Sequence, residues 1–177
     1  MLISKKKQSG FSMIEVLVSL LVIGVGLLGL SGLQIASVKG TNNAHSRNIA
    51  TMLSTELGDR MRANPFGVAG GFYDNNVNCV ANEKQCRKNT SCNPEEIARA
   101  DVQEVMCGVR RNDTGSVREG GAALLLPNGT LDVSCLVGDC ADILAEHTIT
   151  MTWNTAKLDD RQNDNDLMQR TTVPVTP

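Results

Sequence analysis

Aromatic residues are scarce in this sequence of 177 residues, which holds one Trp, one Tyr and three Phe. A hydrophobic core must therefore rest on aliphatic side chains, methionine and covalent cross-links. The sequence also lacks a large net charge, because its 17 Lys and Arg residues nearly balance its 19 Asp and Glu residues. The chain as a whole has no general attraction for nucleic acid, and we do not predict DNA or RNA as a partner.

Motifs for catalysis and metal binding are also missing. The sequence contains no phosphate-binding glycine loop, no metalloprotease helix motif and no serine-nucleophile elbow. No Cys-x-x-Cys occurs, and neither His45 nor His147 lies near a cysteine pair at zinc-finger spacing. The acidic run 159–166 lacks the central glycine and closing glutamate of a calcium loop, so a solvated turn is expected there. We therefore predict no enzyme activity, no metal site and no cofactor.

Charge is absent between Glu15 and Lys39, and this gap defines the N-terminal region. The 18 residues of the segment 16–33 include twelve Val, Leu or Ile, and as a helix they would extend about 27 Å. These side chains favour membrane insertion by about 4 to 7 kcal/mol before the penalties of polar residues and glycine. The lysines at 5–7 should hold the N-terminus on the cytoplasmic side and direct the rest of the chain across the membrane.

Two common kinds of N-terminal segment fit this region less well. The apolar core of a secretory signal peptide is shorter and ends at a small-x-small cleavage site, and no convincing site of that kind follows here. A simple membrane anchor fits the hydropathy, but it has no need for an acidic residue beside the apolar helix. Glu15 makes sense if a positive charge neutralises it, and a new N-terminal amine on an adjacent subunit would serve.

The segments 5–10 and 11–15 together resemble the type IV prepilin signature: three lysines, a glycine, a phenylalanine and a glutamate at fixed offsets. The resemblance implies that prepilin peptidase cleaves between Gly10 and Phe11 and that Phe11 is then N-methylated. It also implies that Glu15 pairs with the N-terminal amine of a neighbouring subunit during assembly.

Removal of residues 1–10 would change the charge of the chain. Lys and Arg would fall from 17 to 14 against 19 acidic residues, so the side chains would carry a net charge of −5. An acidic body with few aromatic residues argues against the DNA binding of a competence pilin.

The helical pattern continues beyond the apolar span. Apolar residues recur at a spacing of three and four through the segment 34–64, and the helix should end at Asn64, before Pro65. We therefore divide the chain into a leader at 1–10, a transmembrane and assembly half of the helix at 11–33, an amphipathic half at 34–64, and a periplasmic globular domain at 65–177.

A second resemblance lies just after this helix. The strings at 57–65 and 71–74, which read LGDRMRANP and GFYD, resemble the type IV pilus modification protein PilV family. The resemblance implies a minor pilin that helps to initiate pilus assembly at the tip and supports twitching motility and adhesion. Its implied partners are other minor pilins, the major pilin, a tip adhesin, prepilin peptidase and the inner membrane. Its implied final location is the pilus on the cell surface.

Two alternatives remain from the sequence. A pseudopilin of a type II secretion system shares the leader and the helix. A membrane-anchored periplasmic enzyme belongs to a different class, and an activity of the isolated soluble part would support it.

The remaining patterns predict an α+β pilin fold. Asn93 as N-cap, Pro94 at the first position and two acids after it predict a helix to about Arg110. We read 124–126 and 131–135 as a hairpin around the turn Pro-Asn-Gly at 127–129. Alternating residues at 149–153 predict a half-buried strand, and 169–175 should hold a last strand at an edge. The sheet should have about four antiparallel strands packed on the long helix, with the extra helix in the connection.

All the cysteines follow the apolar span, and their even number suggests disulfides in an oxidising compartment. The six candidates are Cys79, Cys86, Cys92, Cys107, Cys135 and Cys140. A helix over 94–109 would separate Cys92 from Cys107 by about 22 Å, too far for a disulfide. The pair Cys135–Cys140 is favoured because it encloses a short loop, and the other pairings stay open.

Overall fold

The computed structural model describes residues 10–74, 79, 86, 90–110, 118–135, 140, 142, 145–155 and 168–176. Its first and longest element is helix α1, Met13–Ala63. As predicted, this helix ends just before Asn64 and Pro65. By contacts the chain divides into two units, Met1–Thr41 and Asn42–Pro177. The first unit holds the apolar part of α1, and the second unit holds the rest of α1 and the remaining elements.

A short helix follows α1 directly. Helix α2 covers Pro65–Ala69, and Asn64 caps it by accepting a hydrogen bond from the backbone of Gly67. Proline at the first helical position suits this start, because its missing N–H has no partner there in any case. The sequence Asn-Pro therefore ends one helix and begins the next.

Helix α3, Pro94–Cys107, begins as predicted. Asn93 and Glu96 form a reciprocal capping box, and Pro94 occupies the first position. The helix is shorter than we predicted, because it ends at Cys107 and not near Arg110. Gly108 adopts a φ of 81°, which stops the helix, and the chain continues into a strand.

The described residues then form two antiparallel sheets. Strands β1, Val109–Arg110, and β2, Arg118–Glu119, form a small two-stranded sheet. The main sheet has the order β3-β4-β5, with β3 at Thr130–Cys135, β4 at His147–Asn154 and β5 at Met168–Val175. The predicted strands at 149–153 and 169–175 are confirmed, and β5 lies at an edge of this sheet in the described residues.

The predicted hairpin at 124–135 is wrong in its first half. Residues Ala122–Leu125 form a helical turn, α4, which the left-handed Gly121 precedes. Strand β3 pairs with β4 instead, with Val133 opposite Ile149. The three consecutive leucines at 124–126 lack the alternation that is typical of a strand. The main sheet therefore has three strands among the described residues, where we expected about four.

The core of the second unit lies between α1 and the main sheet. Leu57 and Met61 of α1 belong to one buried cluster with Ile149, Met151 and Trp153 of β4. Gly58 allows this approach, because a β-carbon there would lie 3.1 Å from the side chain of Val175. The α+β fold class, with a long N-terminal helix, a small antiparallel sheet and extra helices, is confirmed.

Candidate functional site: the N-terminal helix and its anchorage

The first described residues form the start of α1. Gly10, Phe11 and Ser12 precede the helix, and the carbonyl of Ser12 accepts hydrogen bonds from the N–H groups of Glu15 and Val16 at 3.0 and 3.4 Å. The ring of Phe11 is 83% exposed. The three predicted processing and assembly residues therefore lie together at an accessible helix terminus, while residues 1–9 of the predicted leader lie outside the described residues.

Glu15 lies in the first turn of α1, where its charge is favourable to the helix dipole. Its side chain is exposed, and in the part of the chain that the structure describes it forms no ion pair. Because this carboxylate at the end of an apolar helix meets no cation among the described residues, it is available to a cation from another subunit.

The apolar side chains of α1 lie on its surface over several turns. Among the described helices, α1 alone has the length and composition to cross a membrane, and its most apolar stretch is not buried at all. Leu17, Leu21 and Leu28 are 63%, 68% and 76% exposed. Such a long apolar surface needs lipid or other protein to cover it.

The opposite end of α1 is held by a polar cluster that the sequence did not reveal. The guanidinium of Arg60 donates to Asp101 and Glu104 of α3, both at 3.0 Å, and to Glu56 of α1 at 2.7 Å. One planar cation therefore joins two helices, which suits arginine better than lysine because its donors are fixed in a fork.

Tyr73 and Asn64 extend this cluster into the interior. The Tyr73 hydroxyl donates to Oδ2 of Asp101 at 2.9 Å, and Nδ2 of Asn64 donates to the Tyr73 oxygen at 3.3 Å. Asn64 also donates to the carbonyl of Pro94 at 2.8 Å. Asn64 thus caps α2 and ties it to the first residue of α3. We call Arg60, Asn64, Tyr73 and Asp101 the anchoring network.

Burial governs the electrostatics of this network. Burial raises the pKa of the Tyr73 hydroxyl, and the nearby charge of Asp101 raises it further. Burial also raises the pKa of Asp101, although hydrogen bonds from Tyr73 and Arg60 oppose that change. Burial alone would lower the pKa of Arg60, but hydrogen bonds to its three carboxylates outweigh this and the pKa rises. Arg60 therefore stays charged, and the Tyr73 hydroxyl stays protonated and able to donate its hydrogen bond.

Three disulfides complete the second unit. Their α-carbon separations of 5.4, 5.9 and 6.0 Å lie in the usual range, and the pairs are Cys79–Cys107, Cys86–Cys92 and Cys135–Cys140. The first pair joins residue 79 to the last residue of α3, and its Cys107 is 1% exposed. Helix α3 is thus fastened at its beginning by Asn64, in its middle by Arg60 and Tyr73, and at its end by a disulfide.

Two further predictions concern the absence of a metal site and a solvated turn in the acidic run 159–166. Within the described ranges no group of three His, Cys, Asp or Glu residues could hold a metal ion. The acidic run 159–166 lies outside the described residues. Sequence reasoning missed the role of the anchoring network, although three of its four members lie in the two strings that carried the second resemblance.

Comparison with known families agrees with this geometry. Residues 32–103 match the family model described as type IV pilin Tt1218, and residues 5–31 match the prokaryotic N-terminal methylation motif. The second match covers Gly10, Phe11 and Glu15, and the first covers the whole anchoring network. No curated protein and no solved structure matches the chain.

Proposed function

This chain is a type IV pilin-like protein, and we propose that it serves as a minor pilin that helps to initiate assembly of a type IV pilus. The observation that carries the proposal is the contrast between the two units. The apolar surface of α1 and the carboxylate of Glu15 have no partner within the described chain, whereas the second unit is closed by its own core and disulfides. A subunit of this kind completes its contacts only in an assembly.

Processing at the N-terminus is the first step of the proposed function. The methylation motif implies prepilin peptidase as a partner. We propose cleavage after Gly10, methylation of the new N-terminal Phe11, and residues 1–10 as the leader. The exposure of both residues ahead of α1 supports this assignment.

Assembly is the second step. In the proposed assembly the amine of Phe11 on one subunit pairs with Glu15 of the next, so that the charge of each is neutralised in an apolar surrounding. Residues 11–33 then form the membrane and assembly half of the helix, residues 34–64 the amphipathic half, and residues 65–177 the periplasmic domain. Before assembly the protein lies in the inner membrane, and on assembly it becomes part of the pilus on the cell surface.

Position at the tip is the third part of the proposal. The proposed partners are the major pilin, other minor pilins and a tip adhesin, and the proposed consequences are twitching motility and adhesion. We propose no catalytic role, because pilins are structural proteins and the charged cluster of the second unit is occupied by its own hydrogen bonds.

The processing step is tested by mass spectrometry of the N-terminal peptide from cells with and without prepilin peptidase. A methylated Phe11 terminus should be found only with the enzyme. Gly10→Val should block cleavage, and it should do so without harming the fold, because a β-carbon at Gly10 meets no atom within 4 Å. An intact leader on protein in assembled fibres would refute the proposal.

The assembly step is tested with two charge variants of α1. Glu15→Gln should reduce the amount of this protein in sheared pili, because the neighbour's amine loses its partner. Asp59→Asn removes the same charge from the same helix at an exposed pair and should leave incorporation unchanged. Equal incorporation of both variants would contradict the assigned role of Glu15. A deletion that abolishes secretion but not pili would identify a pseudopilin instead.

A further inference from the structure

The corner between α4 and β3 contains a residue in an unusual backbone conformation. Asn128 has a φ of 51°, and no other non-glycine residue in the described ranges has a positive φ. Pro127 precedes it, and the N–H of Gly129 donates to the carbonyl of Leu126 at 3.1 Å. A left-handed residue at the third position of such a turn is favourable for Gly or Asn and strained for most others.

The next position permits only glycine. A β-carbon at Gly129 would lie 2.5 Å from the carbonyl oxygen of Ala122 and 2.9 Å from the β-carbon of Leu126. The fold therefore selects Asn and Gly at 128 and 129 for two separate steric reasons. This dipeptide occurs once in the sequence.

Asn followed by Gly is also the dipeptide whose side-chain amide is chemically least protected, because glycine offers no side chain to hinder attack. The backbone nitrogen of Gly129 can lose its proton and form a bond to Cγ of Asn128. The bond from Cγ to the side-chain nitrogen then breaks, and ammonia leaves. Water opens the resulting succinimide to aspartate or to isoaspartate, whose main chain runs through the side chain.

We propose that Asn128 is a site of spontaneous deamidation and that the fold slows the reaction by holding the Gly129 N–H in the turn. The backbone nitrogen of Gly129, which must attack, donates a hydrogen bond to the carbonyl of Leu126. Gly129 is buried, whereas Asn128 is exposed. A second hydrogen bond, from the N–H of Asn154 to the carbonyl of Pro127 at 2.8 Å, fastens the turn to the end of β4. Both bonds must open before the nitrogen can move onto Cγ.

Conversion to isoaspartate would also weaken the corner. Isoaspartate adds one methylene to the main chain between residues 128 and 129, so the carbonyl of Leu126 and the N–H of Gly129 no longer meet. A corner that contains isoaspartate therefore opens more readily than an intact one.

The test follows deamidation at Asn128 in the full-length protein in detergent, native in one sample and reduced and denatured in the other. Peptide mass spectrometry and isoaspartate detection measure the rate in one buffer at one temperature. The native rate should be lower by roughly tenfold to a hundredfold, because two hydrogen bonds must open. Equal rates in the native and denatured samples would show that the fold does not slow the reaction. If Asn128 does not deamidate in the denatured chain, it is not a deamidation site.

Two variants sharpen the result. Asn128→Gly removes the reactive amide but keeps the left-handed backbone, so it should unfold like the native chain and accumulate no isoaspartate at this position. Leu126→Ala shortens a side chain that is 2% exposed beneath the turn and should raise the native rate toward the denatured rate. If Leu126→Ala stays folded and leaves the native rate unchanged, the turn does not gate the chemistry. If that variant does not fold, the comparison of native and denatured protein decides alone.

Discussion

The hydroxyl of Tyr73 donates a 2.9 Å hydrogen bond to Oδ2 of Asp101, and this bond joins the segment after α2 to the middle of α3. Tyr73 is 1% exposed, so its polar oxygen is held inside the protein by its partners. Asp101 accepts from Arg60 through its other carboxylate oxygen. Two residues that lie 28 positions apart thus close the anchoring network around α1.

Tyr73→Phe should destabilise the second unit by about 1 to 3 kcal/mol. The change keeps the ring but removes one donor from a largely buried carboxylate, and hydrogen bonds to charged groups are worth about 1.5 to 3 kcal/mol. Unfolding in urea can be followed by the fluorescence of Trp153, the only tryptophan of the chain and a core residue.

The matched control for this variant is Phe66→Leu. Phe66 is 72% exposed, and an aromatic change at such a surface position should alter the free energy of unfolding by less than about 0.5 kcal/mol. A loss in Tyr73→Phe no larger than in this control would show that the hydroxyl contributes nothing to stability.

High pH should destabilise the protein through Tyr73. Burial raises the pKa of this hydroxyl above its usual value of about 10, so the folded protein keeps the proton at pH values at which the unfolded chain has lost it. The stability linked to this proton is complete below about pH 10 and is lost as the pH rises further. The chain has one tyrosine, so phenolate absorbance reports Tyr73 alone.

In an alkaline titration the phenolate signal should therefore appear together with unfolding. Tyr73→Phe should lack this contribution to the loss of stability, although its starting stability is lower. A phenolate that forms near pH 10 while Trp153 stays buried would contradict the assigned environment.

The sequence predicted the elements with strong local signals. Asn93 and Pro94 mark the start of α3, the Asn64-Pro65 step marks the end of α1, and the alternation through β4 marks a strand; each of these is confirmed. These signals depend on neighbours in the chain, so one sequence is enough to interpret them.

The features that sequence reasoning missed depend on distant contacts. Leu124 and Leu125 fall in a helical turn because Gly121 turns the chain and Leu126 is buried, neither of which periodicity reveals. Arg60 meets Asp101 and Glu104 across 41 and 44 positions, and a charged residue on a helix face is usually solvated. Only the fold brings these charges together.

Arg60→Lys should destabilise the second unit by about 1 to 3 kcal/mol, even though it keeps the charge. Lysine has one compact ammonium and cannot reach Glu56, Asp101 and Glu104 with the geometry of the guanidinium. The measurement is again urea unfolding followed by Trp153.

Arg62→Lys is a close control, because Arg62 lies two residues away on the same helix. Its pair with Asp59 is largely exposed, at 46% and 70%, so the expected change is within about 0.5 kcal/mol. If both variants lose the same stability, the network around Arg60 has no special contribution.

The three disulfides should differ in what they contribute, because a cross-link stabilises mainly by restricting the unfolded chain. Cys79 and Cys107 are separated by 28 positions, and Cys135 and Cys140 by 5. The chain-entropy relation gives about 3.5 kcal/mol for the longer loop and about 2 kcal/mol for the shorter one. Replacing each pair by alanines should therefore lower the urea midpoint more for Cys79–Cys107.

The native structure should enlarge this difference. Cys107 is 1% exposed at the end of α3, so its replacement also leaves a small void, whereas Cys135 is partly exposed. Thiol titration of each variant should find no free cysteine, which shows that the remaining pairs have formed. Without the long cross-link, α3 depends more on its core packing and on its polar attachments at Asn64, Arg60 and Tyr73, so combining the cysteine change with Tyr73→Phe should lower stability by more than the sum of the two. A larger loss on removal of Cys135–Cys140 would show that the length of the closed loop does not set the order.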